Sequence, residues 1–241
     1  MTMDSFTEGI NVKIFADGAS LSEIISLNEN TLISGFTTNP TLMRKSNVTD
    51  YKKFALEVLS HVKDKPISFE VFADTHKEML DQAKKISSWG DNVYVKIPVT
   101  TTKGESNSEV VKQLITMGIK VNVTAIMTID QIQEMKDSLE SNIPSYLSIF
   151  AGRIADTGRD PVPIVKKALE VIATAPNIEL IWASPRELLN VIQASDVRCH
   201  IITATSEILS KLDKIGYSLK NYSLDTVRMF YDDARASGYL I

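Results

Sequence analysis

The sequence predicts an α/β protein: a single-domain (β/α)8 TIM barrel with an extra C-terminal helix. Three observations carry that prediction. Eight short apolar runs of strand length recur, with helical patterns between them. Capping signatures stand within a few residues of several of those runs. The length, 241 residues, is what such a barrel needs, and no linker or low-complexity stretch divides it. A doubly wound open sheet is the structural rival, because it uses the same alternation.

The candidate strands are Lys13–Ala16, Ile33–Thr37, Pro66–Val71, Val93–Ile97, Lys120–Thr124, Tyr146–Phe150, Glu179–Ala183 and Val197–Thr203. Helical patterns occupy Tyr51–Val62, His76–Ser88, Asn107–Met117, Ile129–Leu139 and Pro161–Ala173. A capping box satisfies two orphan amides at a helix start. Such pairs stand at Ser20/Glu23, Thr75/Glu78, Ser106/Glu109, Thr128/Gln131 and Ser184/Glu187. Pro161 suits a first helical position, and Gly90, Gly118 and Asn177 close helices. A last helix, Leu224–Ser237, lies in a C-terminal segment spanning 223–241.

The net charge is -4 with no basic block, which argues against nucleic acid as the main partner. It leaves room for a small anionic substrate, since a few Arg or Lys suffice to hold a phosphate. No signal peptide and no membrane-length apolar run are apparent. One cysteine, Cys199, sits in an apolar run and reads as core; it fits a reducing compartment, so a cytoplasmic location is expected. His61, His76 and His200 show no ligand spacing, so no metal is expected. No phosphate-cradling glycine motif supports a dinucleotide or P-loop reading.

Lys96 is the most informative residue. It stands in Val93-Tyr94-Val95-Lys96-Ile97-Pro98, a strand centre. An ammonium taken out of water loses hydration, and a neutral amine attacks carbonyls to form a Schiff base. A solvated strand lysine is the plain alternative. Alternation puts Lys96 and Tyr94 on one face and Val93, Val95 and Ile97 on the other. The same parity sends Asp17, Glu70, Asn122, Thr124, Ser148 and Phe150 inward. Asp17, Glu70, Lys96 and Thr124 then converge at the C-terminal end of the barrel, where active sites form. Singly, Asp17 reads equally as a helix cap and Glu70 as a solvated strand end. Arg153, Ser184 and Arg186 suggest a phosphate site, with Ser184 opening a helix whose amides face the anion; surface arginines and an ordinary cap are the plain reading.

These motifs resemble the transaldolase family, in the short branch that also contains fructose-6-phosphate aldolases. The resemblance runs from about Lys13 to Leu212. It rests on Phe15-Ala16-Asp17, Gly35-Phe36-Thr37-Thr38-Asn39-Pro40, Phe69-Glu70-Val71, Val95-Lys96-Ile97-Pro98, Asn122-Val123-Thr124, Phe150-Ala151-Gly152-Arg153-Ile154 and Ala183-Ser184-Pro185-Arg186. It implies a cofactor-free class I mechanism with Lys96 as the Schiff-base lysine. Asp17 would be the acid–base group, and Glu70 and Thr124 would hold a proton-relaying water. Asn39 would bind substrate hydroxyls, with Thr37 and Ser148 nearby. Arg153, Ser184 and Arg186 would receive the phosphate.

Fructose-6-phosphate aldolases usually carry Gln at the position of Glu70 and Tyr at that of Phe150, so both residues here look like transaldolase. The chain departs from the pattern at Gly18, where a hydroxyl residue is usual, and at Pro185, where Phe is common. Transfer of dihydroxyacetone between sugar phosphates is therefore the favoured expectation. A lyase acting on fructose 6-phosphate or a related ketose is the alternative, and a silent sugar-phosphate-binding protein is a third. The resemblance also implies a homo-oligomer, often a decamer, for which Phe230, Tyr231, Tyr239 and Leu240 offer apolar surface; a satellite core under the helix explains them equally well.

Overall fold

In a computed structural model of the protein, residues 9–239 are described. Their elements run β1 (Lys13–Asp17), α1 (Leu21–Asn28), β2 (Ile33–Thr37), α2 (Pro40–Lys45), α3 (Tyr51–His61), β3 (Ile67–Glu70), α4 (His76–Ser87), β4 (Val93–Pro98), α5 (Ser108–Thr116), β5 (Val121–Ile126), α6 (Ile129–Ser138), β6 (Ser145–Ile149), α7 (Ala151–Ala155), α8 (Val162–Ile172), β7 (Ile178–Trp182), α9 (Leu189–Asp196), β8 (Ile201–Ala204), α10 (Ser206–Leu209) and α11 (Leu219–Ala236). The eight strands pair in parallel, in sequence order, and close with β8 against β1. This is the predicted (β/α)8 barrel, and the open-sheet rival falls with the closure.

The barrel occupies the compact unit Ile10–Leu209. Its strands face two environments, as their alternation requires. Val95, Ile97, Val121 and Val123 are fully buried on the helix-facing parity. On the other parity Phe15, Tyr94, Tyr146, Ile181 and Ile201 form one cluster inside the barrel. The Tyr94 and Tyr146 rings stack at 4.1 Å, and Phe15 meets Tyr146 edge-on at 5.8 Å. Gly35 makes room for this layer, because a Cβ there would come within 2.5 Å of the Phe15 ring. Asp17, Lys96, Ser148 and Thr203 each lie two residues beyond a member of that layer. The aromatic layer is thus the floor on which the polar residues stand.

Several helix starts formed as read. Ser20, Thr75 and Thr128 each accept the backbone N–H three residues on, and Thr128 with Gln131 makes the full reciprocal box. Two did not. Ser106 donates to Glu134 at 2.5 Å instead, and Asn107 precedes α5 with its side chain turned to the Pro98 carbonyl. Ser184 does not open α9, which begins at Leu189. Gly118 closes α5 with φ 76° as expected, whereas Asn177 lies beyond α8 and donates to the carbonyls of Leu139 and Ile143.

The eighth strand is shorter than the apolar run suggests. Val197 ends α9, Arg198 turns left-handed at φ 58°, and Cys199 N donates to the Ala194 carbonyl. That backbone pattern closes a helix, so the run Val197–Cys199 reverses direction before the strand begins. Cys199 is a buried core residue, with burial pushing its thiol up to about 12. Residues from Ser210 belong to a second unit. There α11 starts five residues earlier than the reading from Leu224, at a Ser218 cap, and runs Leu219–Ala236. Leu240 lies outside the described residues.

Candidate active site

The strand ends bring every sequence-predicted site residue to one cavity of about 370 Å³. Asp17, Thr37, Asn39, Glu70, Lys96, Thr124, Ser148, Phe150, Arg153, Ser184 and Arg186 all line it. Parallel register does most of this work: Asp17 stands beside Thr37, Glu70 beside Lys96, and Pro98 beside Thr124.

Lys96 is 5% exposed, the most enclosed charge in the cavity. Its Nζ donates to the Thr38 carbonyl at 3.0 Å and lies 3.4 Å from Glu70 Oε2. A buried ammonium survives only when it is paired and hydrogen-bonded, and both conditions are met. Thr38 is itself fixed by bonds from its amide and hydroxyl to the Ser68 carbonyl. Behind Glu70, the Tyr51 hydroxyl donates to the Glu70 carbonyl at 2.9 Å, which anchors that strand end.

Asp17 sits across the cavity. Its Oδ1 accepts from Thr37 Oγ1 at 2.8 Å, and Asn39 Nδ2 approaches Oδ2 at 3.3 Å. Burial pushes the Asp17 carboxyl above the usual carboxylate range, while the Lys96 charge and the bonds from Thr37 and Asn39 pull the other way. Asn39 has a second duty. Its Oδ1 accepts from Leu42 N at 3.0 Å, and Pro40 takes the first helical position. The Thr-Thr-Asn-Pro run is therefore a helix start that also aims an amide at Asp17.

Thr124 Oγ1 is buried without a protein partner, so it is free to hold a water or a substrate oxygen. It precedes Ala125, which takes φ 61° where the β5–β6 register shifts. A left-handed non-glycine residue in a strand marks a bulge, a device that re-aims neighbouring side chains. Ser148 donates to Asn122 Oδ1 at 2.7 Å, and Asn122 Nδ2 donates to Ser68 at 3.0 Å. Phe150 closes one wall and packs on the aromatic layer.

The end of the cavity at Ser184 and Arg186 differs from expectation. Ser184 adopts φ 59° and is followed by loop, so no helix N-terminus opens there. Asn190 Oδ1 instead accepts the Arg186 and Glu187 amides. The Ser184 carbonyl presses on Gly152, where a Cβ would lie 1.6 Å from it. Arg186 lines the cavity with its guanidinium clamped from behind by Asp156, through Nε to Oδ1 at 2.9 Å and Nη2 to Oδ2. That pairing holds the Asp156 carboxyl below its usual range.

Sequence reasoning missed four contributors. Thr203, from β8, lines the cavity beside Thr37. Its signal was the inward parity of β8. Asn122 was placed inward but not recognised as the link between Ser148 and Ser68. The Thr38 carbonyl left no side-chain signature to find, and Asp156 stands thirty residues from Arg186, with no local pattern to pair them. No group of three or more His, Cys, Asp or Glu suited to a metal occurs among the described residues. Among them no helix is long and apolar enough to cross a membrane.

Known proteins resemble the chain in sequence and in fold. A family model described as transaldolase/fructose-6-phosphate aldolase matches residues 14–239. A "Probable transaldolase" of Nitrosopumilus maritimus is 31% identical over 221 residues, covering 89% of this chain and 94% of the relative. One from Streptococcus equi subsp. zooepidemicus is 34% identical over 203 residues, covering 83% and 90%. Among solved structures, "a putative phosphonomutase from Burkholderia cenocepacia J2315" superposes with a TM-score of 0.57 at 8% identity, covering 97% of this chain and 100% of that one, a likeness of fold alone. Matched along nearly its whole length in sequence, the chain belongs to the transaldolase/fructose-6-phosphate aldolase family.

Proposed function

We propose that the protein is a class I transaldolase that moves a dihydroxyacetone unit from a ketose phosphate, such as fructose 6-phosphate or sedoheptulose 7-phosphate, to an aldose phosphate. The observation that carries this reading is the buried Lys96 amine beside the Glu70 carboxylate, with Asp17 across the same cavity. Lys96 gives up a proton and attacks the ketose carbonyl, and loss of water leaves an iminium. Glu70 and the free Thr124 hydroxyl hold the water that relays these protons. The C3–C4 bond then breaks as Asp17 takes the proton of the C4 hydroxyl. An aldose phosphate departs, and the bonding electrons move into an enamine on Lys96. The enamine carbon attacks the incoming aldehyde, Asp17 returns the proton, and hydrolysis frees Lys96. Arg153, Arg186 and Ser184 receive the phosphate, and Thr37, Asn39 and Ser148 hold hydroxyls.

Glu70 and Phe150 favour transfer over release of free dihydroxyacetone. A carboxylate in place of an amide, and a ring without a phenol, leave less proton-donating capacity near the enamine. Borohydride trapping with fructose 6-phosphate, followed by peptide mass mapping, tests the reading. A reduced three-carbon adduct on Lys96 is expected. An unmodified Lys96 across a panel of ketose phosphates would overturn it.

The same reading includes a homo-oligomer, of decamer size by resemblance, whose chains meet through the C-terminal segment. In its support, α11 contains no buried residue, and Phe230, Tyr231 and Tyr239 are 62%, 59% and 77% exposed. Sedimentation of the full chain tests it; a monomer at micromolar concentration would refute it.

A further inference from the structure

The hydroxyl of Thr203 is 2.6 Å from that of Thr37, and either could donate by distance alone. Proton count decides between them. A threonine hydroxyl has one proton and two lone pairs. Thr37 Oγ1 donates to Asp17 Oδ1, an acceptor with no proton to give while ionised. Its single proton is then spent, so Thr203 must be the donor in the second bond. The three groups form a one-way chain, Thr203 to Thr37 to Asp17, drawn from β8, β2 and β1.

The surroundings make this chain hard to break. Thr37 and Thr203 are 2% and 4% exposed, so water does not readily substitute for either hydroxyl. Thr203 stands beside Phe15 in the β1–β8 register, two residues beyond the inward-facing Ile201. An apolar side chain would fill such a position at lower desolvation cost. The residue after Asp17 is Gly18, which offers no hydroxyl of its own. Support for Asp17 comes instead from Thr37 and from Asn39, whose amide is committed on its other side to Leu42.

We propose that Thr203 is a positioning residue for the acid–base step. By donating to Thr37 it locks that hydroxyl rotor with its proton on Asp17 Oδ1, leaving the rest of the carboxylate to meet the substrate hydroxyl. The inference rests on Asp17 being the acid–base group. When Asp17 takes the substrate proton, Thr37 and Thr203 keep the carboxyl from rotating away before the proton must be returned. The other charged groups lining the cavity are Glu70, Lys96, Arg153 and Arg186, and of these the Lys96 charge draws the Asp17 carboxyl downward against its burial. Neither threonine titrates.

The test compares Thr203→Val, which keeps shape and removes the hydroxyl, with Thr203→Ser, which keeps the hydroxyl. The assay is transfer from fructose 6-phosphate to an aldose phosphate. The valine variant is expected to lose roughly 5- to 20-fold in kcat with KM changed less than about twofold. The acid limb of its kcat profile should move upward, because Thr37, no longer polarised by a donor of its own, holds the Asp17 carboxylate less strongly and the carboxyl keeps its proton more tightly. Thr203→Ser should restore most of the rate. Borohydride trapping on Lys96 should survive in both, since Schiff-base formation does not use this chain. An unchanged kcat and pH profile in Thr203→Val overturns the proposal. So does an equal loss in both variants with no movement of the acid limb, which would make Thr203 a packing residue. Asp17→Asn separates the two failures: full activity there refutes the acid–base reading itself, whereas an inactive Asp17→Asn beside an unaffected Thr203→Val refutes only the role of Thr203.

Discussion

Asp156 grips Arg186 along the Nε–Nη2 edge of its guanidinium, the edge best shaped to clamp a phosphate in two-pronged fashion. The pair is exposed at 45% and 44%, so it adds little to stability. Its consequence is electrostatic. On the proposed reading, a substrate phosphate approaching Arg186 would meet the negative charge of Asp156 beside it. Asp156→Asn is expected to lower KM for a ketose phosphate by about two- to fivefold with kcat unchanged. A rise in KM would show instead that Asp156 serves mainly to aim the guanidinium.

Removing Lys96 tests the centre of the site. Lys96→Ala is expected to lose at least about 10³-fold in turnover while keeping the barrel circular dichroism spectrum. It leaves Glu70 facing the cavity without its partner. Measurable turnover near that of the parent enzyme would dispose of the Schiff-base mechanism.

Asp17 links chemistry to stability. Its carboxyl titrates above the ordinary value of 3.8 because burial disfavours the ionised form. The folded state therefore binds this proton more tightly than the unfolded chain. Stability falls as pH rises from the ordinary value through the raised one, and the cost is full above it. Asp17→Asn is expected to raise Tm at pH 7.5 by about 2–6 °C while abolishing turnover. The gain should shrink toward pH 4. A gain that is constant across pH would assign it to something other than this titration.

Gly152 in α7 and Ser184 in the loop after β7 pack backbone against backbone. A methyl at position 152 would collide with a backbone carbonyl, which cannot swing away as a side chain can. Gly152→Ala is expected to destabilise by about 1–3 kcal/mol, read as a drop in Tm, and to raise KM for phosphorylated substrates. A variant with unchanged Tm and KM would mean that α7 and the loop after β7 part without loss. The same contact explains why glycine stands inside Ala151-Gly152-Arg153, where no turn or positive φ requires it.

Much of the barrel and the site was legible in the sequence. Lys96, Glu70, Asp17 and Thr124 could be assigned inward by counting, because side chains alternate along a strand. Asn39-Pro40 could be read as a helix start because capping is a local matter of one oxygen and the next few amides. Where the reading of two helix starts failed, a distant group had intervened. Ser106 left its helix for Glu134, and Ser184 took a left-handed conformation against Gly152. Val197–Cys199 looked like strand by apolarity but closed a helix.

The sequence by itself determined the strand–helix alternation, the parity of each strand and the set of reactive side chains. These follow from properties a residue carries with it or shares with near neighbours. The tertiary structure alone decided which groups touch across the barrel: Lys96 on the Thr38 carbonyl, Arg186 on Asp156, and Thr203 on Thr37. Those contacts depend on closure and register, which bring strands far apart in the chain side by side. Hydrogen-bond direction, which makes Thr203 a donor, exists only once both partners are in place.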